Sequence, residues 1–128
     1  MGNRAVITIK ENNVPQEDWQ SLYLHWNGGR DTVEPLLHLR CQEDSNYAIA
    51  RLSQLIGNTL GGTLSLGVGT YKQLDTDNAD NGVYVVKDWE IVDREYHHGL
   101  EQQEYDFNKV VSEIRSKNDQ VFGYEEQD

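Results

Sequence analysis

Residues 81–96, NGVYVVKDWEIVDREY, decide the fold class because they predict a β-hairpin. The pair Asn81-Gly82 is a strong reversal signal, since both residues tolerate the positive φ of a tight turn. Residues 83–87 and 89–96 are rich in β-branched and aromatic side chains, which favours two strands. Asp88 at their joint marks either a bulge or a short turn.

Three further strands are predicted upstream of this hairpin. Residues 4–9 are rich in β-branched side chains. Residues 20–26 (QSLYLHW) place two leucines and a tryptophan on one face, opposite tyrosine and histidine. Residues 63–71 (TLSLGVGTY) alternate apolar side chains with serine and glycine, which predicts a strand with one nearly bare face.

Three helices are predicted from capping signals and helical spacing of apolar residues. The first begins at Asp31 or Thr32, either of which caps free backbone N–H groups, and Glu34 completes a capping box. The second follows a polar joint and ends at Gly57, a residue that suits a C-terminal cap. The third covers residues 104–117, where apolar side chains recur at intervals of three and four.

The order of these elements, ββααβββα, predicts an α+β fold with a mainly antiparallel sheet of about five strands and three helices on one face. The two consecutive helices leave open a parallel or crossed pairing between the second and third strands. The chain is expected to form a single domain over residues 1–128, with residues 119–128 as an acidic tail that docks or frays.

The negative charge is concentrated in the second part of the chain. The 128 residues carry 11 basic and 22 acidic side chains, a formal net charge of −11. Residues 1–74 hold seven acids and six bases, whereas residues 75–128 hold fifteen acids and five bases, a net charge of −10. Two clusters of acids follow each other there: Asp75, Asp77 and Asp80, then Asp88, Glu90, Asp93 and Glu95.

Such a balance disfavours nucleic acids and anionic membranes as partners, because both repel carboxylates. It predicts an electrostatic surface for a basic protein partner. The alternative is a solvated, self-repelling surface that serves solubility alone.

Other features exclude several classes of protein. The apolar runs are too short to span a bilayer, and the first ten residues contain no apolar signal core. The lone Cys41 cannot form an internal disulfide, which fits a reducing compartment and a cytoplasmic location.

The sequence predicts no metal site and no cofactor. It contains no CxxC or HExxH motif, and adjacent His97 and His98 point to opposite faces of a strand. An EF-hand loop starting at Asp75 would meet Ala79, Asp80 and Val86 where it needs an oxygen ligand, glycine and glutamate. Only a loose, weak cation site is left open there.

The segment HWNGGRD contains a second candidate site formed by His25, Asn27, Arg30 and Asp31. A strand, a glycine loop and a helix can present backbone N–H groups to an anion, and Arg30 would add positive charge. His25 and Asp31 could pair as a base and the group that orients it. The alternative is a glycine turn in which Asp31 caps the helix and Arg30 pairs with a nearby acid.

Three segments together, YLHWNGGRDTVEPLL (23–37), YAIARLSQLIGN (47–58) and NGVYVVKDWEIVDREY (81–96), resemble a small, functionally uncharacterised family encoded by bacteriophages and integrated mobile elements. The resemblance covers roughly residues 4–105 and implies a bacterial or phage cytosolic context. It implies no catalytic residue, cofactor or substrate.

The first functional hypothesis is therefore a non-enzymatic, acidic accessory factor that binds a basic protein. In a mobile-element setting it would act as an anti-defence protein that imitates the negative charge of nucleic acid. The alternative is a small enzyme, or a small-ligand or anion-binding protein, centred on the His25-Arg30-Asp31 turn. A third option is a structural subunit that forms homo-oligomers through exposed aromatic side chains or an open sheet edge.

Overall fold

The computed structural model describes residues 4–26, 28–41, 48–60, 66–97 and 105–121. Its strands and helices are β1 (Ala5–Ile9), β2 (Gln20–Leu24), α1 (Arg30–Cys41), α2 (Ala48–Leu60), β3 (Leu66–Thr70), β4 (Val83–Lys87), β5 (Glu90–Glu95) and α3 (Phe107–Val121). This confirms an α+β fold with five strands and three helices. Two 3-10 helices that the sequence did not predict, Gln16–Asp18 and Tyr71–Gln73, precede β2 and follow β3.

The five strands form one mixed sheet in the order β3-β2-β1-β4-β5. Strands β1 and β4 run parallel, and the other three neighbouring pairs are antiparallel. The parallel or crossed pairing considered between β2 and β3 is therefore wrong. Helices α1 and α2 connect β2 to β3, and β3 then runs antiparallel to β2. Strand β4 pairs with the other edge of β1, far along the chain from it.

All three helices contribute to one core, which lies on one face of the sheet. Strands β1 and β2 place Ile7, Leu22 and Leu24 there, each at most 1% exposed. These side chains pack against Val33 and Leu36 of α1 together with residues of α2 and α3. The alternation predicted for residues 20–26 is thus confirmed within β2.

The opposite face of the sheet carries a second, smaller apolar cluster. Val6, Val83 and Val85 are buried there beneath side chains contributed by β2 and by the two 3-10 helices with their flanking residues. Strand β1 is consequently buried on both faces, which agrees with its nearly continuous apolar sequence. The covering side chains that pack on this cluster are Trp19, Tyr23, Tyr71 and Leu74.

Three expectations about element ends are corrected. Helix α1 begins at Arg30, and the carbonyl oxygen of Gly29 accepts the N–H of Val33 at 3.0 Å, so Asp31 lies in the first turn rather than at the cap. Helix α2 continues through Gly57 to Leu60, and Gly57 lacks the positive φ that a C-terminal glycine cap adopts. Trp26 lies beyond the end of β2 and is 48% exposed.

The third helix contains the apolar positions predicted for it, but it begins at Phe107, after non-helical residues 105 and 106, and it ends four residues later than predicted, at Val121. Val111 and Ile114 are buried, and Phe107 and Val110 pack on the same core. The predicted tail over 119–128 thus begins inside α3, and its residues 122–128 lie outside the described part of the chain.

Candidate functional site

The β4–β5 hairpin is closed by a two-residue turn, Asp88-Trp89. The two residues have φ angles of 52° and 64°, as a type I′ turn requires. Asp88 therefore marks a short turn, and a register shift further along leaves Val92 as the extra, bulged residue of β5. The side chain of Val92 is 52% exposed.

The seven candidate acids lie along the hairpin and at both ends of β4. Asp75, Asp77 and Asp80 belong to the loop that enters β4, whereas Asp88 and Glu90 lie at the other end of that strand. Asp93 and Glu95 lie opposite Val85 and Val83, on the face of the sheet away from the helices. Five of the seven are exposed: Asp75, Asp77, Asp88, Glu90 and Asp93. Strand β5, at the edge of the sheet, connects the two clusters.

Part of the loop cluster is engaged by Arg4, which lies just before β1. Its Nε donates to Asp80 Oδ2 at 2.8 Å, its backbone N–H donates to the same oxygen at 3.1 Å, and its Nη1 lies 3.8 Å from Asp75 Oδ2. These hydrogen bonds from Arg4 lower the pKa of Asp80 below its usual value. A guanidinium group thus occupies the position that a loosely bound cation would need.

Asn78 organises the same loop from inside. It is 2% exposed, and its amide donates to the carbonyl oxygens of Asp75 and Gly82 while its Oδ1 accepts the N–H groups of Asp80 and Gly82. Across the described residues there is no group of three or more His, Cys, Asp or Glu side chains that could share a metal ion. The hydrogen bonds of Asn78 and the ion pair of Arg4 therefore give this loop a structural role.

Glu95 is held on the face away from the helices by two neutral donors. The Nε2 of Gln16 lies 3.0 Å from both carboxylate oxygens, and the hydroxyl of Tyr71 donates to Oε1. Burial, and then the hydrogen bond to Glu95, raise the pKa of Tyr71. Because neither donor is charged, these hydrogen bonds fix the position of Glu95 without pairing it with a cation.

The residues of the second candidate site, the His25-Arg30-Asp31 turn, make separate contacts with other side chains. His25 Nδ1 lies 2.9 Å from the hydroxyl of Tyr23, and the His25 ring packs edge-on against Trp26 with centroids 4.7 Å apart. Arg30 donates to Glu34 Oε2 through Nε and Nη2 at 3.0 and 2.7 Å, and Asp31 occupies the first turn of α1. Asn27 lies outside the described residues.

His97 contacts a different part of the fold from the His25-Arg30-Asp31 turn. Its Nδ1 lies 3.1 Å from Arg94 Nη2, and the Arg94 guanidinium carbon lies 3.8 Å from the centre of the Tyr84 ring. Arg94 also donates to the carbonyl oxygens of Val83 and Asn81. This arginine is thus bound to backbone carbonyls on the inner side of the hairpin, and His98 lies outside the described residues.

The hairpin turn, α1 and the start of α3 enclose a cavity of about 360 Å³, which we term the hairpin cavity. Its lining combines charged, aromatic and aliphatic side chains: Arg30, Glu34, Leu37, His38, Asp88, Trp89, Glu90, Ile91 and Phe107. At its rim, the Tyr105 hydroxyl donates to Glu34 Oε1, and the His38 ring packs edge-on against Phe107 at 5.2 Å. Burial, and then the bond to Glu34, raise the pKa of Tyr105.

A second cavity of about 330 Å³ lies on the other side of the same turn. It is formed by the end of β1, Asn12 and the end of β4, and it includes Lys10 and Lys87. Asp88 and Trp89 line both cavities. The turn therefore lies between the two recesses.

Sequence reasoning identified Arg30, Asp88 and Glu90 but missed the other groups around the hairpin cavity. Trp89 was predicted to begin a strand, and no local signal indicates that it occupies a turn. Glu34 was assigned to a capping box, whereas its carboxylate binds Arg30 and Tyr105. A glutamate four residues after an arginine on one helix was the available signal for that ion pair.

Comparison of the chain with protein-family models, curated proteins and solved structures finds no match. The resemblance to a family of phages and mobile elements therefore stays a prediction. Within the described residues, no helix is sufficiently long and apolar to cross a membrane.

Proposed function

We propose that the protein is a non-enzymatic binding protein whose acidic β4–β5 hairpin docks onto a basic surface of another protein. The observation that carries this proposal is the exposure of Asp88, Glu90 and Asp93 on one hairpin at the edge of the sheet. Complementary charge accelerates encounter and selects partners, which suits a hairpin of this composition.

The charge balance of residues 75–97 supports this assignment. They contain seven acids and two bases, Lys87 and Arg94, a net charge of −5. Arg94 is directed inward to the carbonyl oxygens of Val83 and Asn81 and to the ring of Tyr84. Its positive charge is therefore kept away from the surface that carries the exposed acids.

The partner class that we propose is a protein with a nucleic-acid-binding surface. Carboxylates along a hairpin present a row of negative charges to side chains that otherwise contact phosphates. In a phage or mobile element, occupation of such a surface would inhibit a DNA-processing defence protein. Apolar Val92 beside Glu90 and Asp93 adds contact area that a purely ionic surface lacks.

Affinity capture from a bacterial host extract with the immobilised full chain tests the proposal. We expect a protein that is retained at low salt, is released at high salt and is also released by added duplex DNA. The variant that combines Asp88→Asn, Glu90→Gln and Asp93→Asn should not retain it, because that variant removes three charges from the hairpin.

A control variant with the same change in net charge tests whether binding depends on where the acids lie. Glu17→Gln, Asp18→Asn and Glu113→Gln remove three charges from exposed residues outside the hairpin. This control should retain the same partner. Equal loss in both triple variants, or retention that salt and DNA leave unchanged, would contradict the proposal.

A function centred on the His25-Arg30-Asp31 turn has less support. The guanidinium of Arg30 is bound bidentately to one oxygen of Glu34, which offsets the charge that an anion would require. His25 contacts Tyr23 and Trp26. We therefore favour the hairpin as the functional surface.

A further inference from the structure

The hairpin cavity carries an excess of negative charge at the surface proposed for binding. The charges of Arg30 and Glu34 offset each other through their paired hydrogen bonds. Asp88 and Glu90 remain, both exposed, and within the described part of the chain neither forms an ion pair. The cavity therefore attracts a cationic group.

Aromatic rings line the same cavity. Trp89 and Phe107 belong to opposite sides of it, since one comes from the hairpin turn and the other from the start of α3. Aromatic faces attract cations, and the flat guanidinium of arginine stacks on them while it donates to carboxylates. Rings and acids in one recess of about 360 Å³ match the chemistry of an arginine side chain.

The second position of the Asp88-Trp89 turn is a tryptophan, although glycine would adopt this backbone conformation with less strain. Trp89 has a φ of 64°, in the left-handed region that a bulky side chain rarely adopts. Asp-Gly is a favoured pair for this type of turn, whereas Asp-Trp is not. The indole offsets part of this strain by packing on the core, and it also forms the wall of the cavity.

We propose that the hairpin cavity receives an arginine side chain of the basic partner, with its guanidinium held by Asp88 and Glu90 against Trp89. This inference rests on the proposed function, because that function supplies the basic partner. It adds a specific anchor to what would otherwise be attraction between two charged surfaces.

Titration of the full chain with two short peptides, followed by NMR, tests the anchor without any partner protein. The probes are acetyl-Gly-Arg-Gly-amide and acetyl-Gly-citrulline-Gly-amide, which differ in charge but hardly in shape. We expect the arginine peptide to shift the indole N–H signal of Trp89, and the citrulline peptide to leave it unchanged at equal concentration.

Variants locate the binding site. Glu90→Gln and Asp88→Asn should each weaken binding of the arginine peptide about two- to fivefold, the usual effect of one exposed charge contact. Trp89→Gly removes the reporting indole, so its binding is followed through the backbone amide signals of Asp88 and Glu90. Their shifts should be abolished while the fold is preserved, since the variant creates the favoured Asp-Gly turn. Glu17→Gln, at an exposed acid of the 3-10 helix before β2 and outside the seven candidate acids, is the matched control and should leave binding unchanged.

The anchor is overturned if both peptides give the same shifts or if neither binds up to its solubility limit. It is also overturned if the shifts map to Trp26, or if Glu90→Gln and Trp89→Gly bind as the wild type does. Such results leave the capture experiment intact, because a charged surface can bind without an anchor. Conversely, capture that is insensitive to salt overturns the proposed function, while the peptide titration still decides the chemistry of the cavity.

Discussion

Arg4 and Asp80 connect the start of the central strand to the loop that enters its parallel neighbour. Two groups of Arg4, the backbone N–H and Nε, donate to the same carboxylate oxygen, at 3.1 and 2.8 Å. The Asn81 N–H donates to the carbonyl oxygen of Arg4 at 2.9 Å beside this ion pair. Because β1 and β4 are far apart in sequence, this contact helps to define where the parallel pairing begins.

Protonation of Asp80 should therefore weaken the fold. Its pKa is lowered in the folded state, so its stabilising contribution is present above the unfolded-state pKa and is lost as the pH falls through the folded-state value. We expect Asp80→Asn to lower the free energy of unfolding at neutral pH and to differ less from the wild type near pH 3. Urea denaturation at both pH values measures this change. Asp77→Asn, at an exposed acid of the same loop, is the control, and an equal response of the two variants would contradict the assignment.

Replacement of Asn78 by alanine should destabilise the protein by about 2–4 kcal/mol. The buried amide satisfies two carbonyl oxygens and two N–H groups of the loop that enters β4, and an alanine leaves several of them without partners. Chemical denaturation of Asn78→Ala gives the difference in free energy of unfolding. Asn12→Ala, at an exposed position of the turn after β1, is the control, and a comparable loss there would argue against this role.

The fold class was predictable because each strand and helix carries its pattern locally. The alternation of Leu22 and Leu24 and the helical spacing of Val111 and Ile114 both correspond to buried faces. The parallel pairing of β1 with β4 was not predictable, since it depends on which side of β1 is left after β2 has paired. Local patterns contain no information about that choice.

The negative charge of the candidate site was predictable from the sequence, but the arrangement of its side chains was not. Clusters of acids are visible in the sequence, whereas the contact between Glu34 and Tyr105 joins residues 71 positions apart. The turn position of Trp89 contradicts local preference, which places glycine at positive φ. Side chains brought together by tertiary packing, and a residue held in an unfavourable conformation, leave no signal in a single sequence.

Removal of the Tyr84 hydroxyl should destabilise the fold while leaving the packing of the ring intact. This hydroxyl donates to the carbonyl oxygen of Gly28 at 2.7 Å in a fully buried position, and it joins β4 to the turn before α1. Tyr84→Phe leaves that oxygen without this donor, so we expect a loss of about 1–2 kcal/mol in the free energy of unfolding. Tyr96→Phe, at a side chain 44% exposed, should change it far less, and equal effects would refute the buried bond.

Two substitutions of Trp89 should separate backbone strain from side-chain packing. Both Trp89→Ala and Trp89→Gly remove the indole, but alanine retains a Cβ at a φ of 64° and glycine does not. We therefore expect Trp89→Gly to be more stable than Trp89→Ala by about 1 kcal/mol in denaturant unfolding. At Trp26, which is not among the residues with positive φ, the same pair should show the opposite order, since glycine there only adds freedom to the unfolded chain. If alanine were the more stable replacement at both positions, the turn assigned to Asp88 and Trp89 would be wrong.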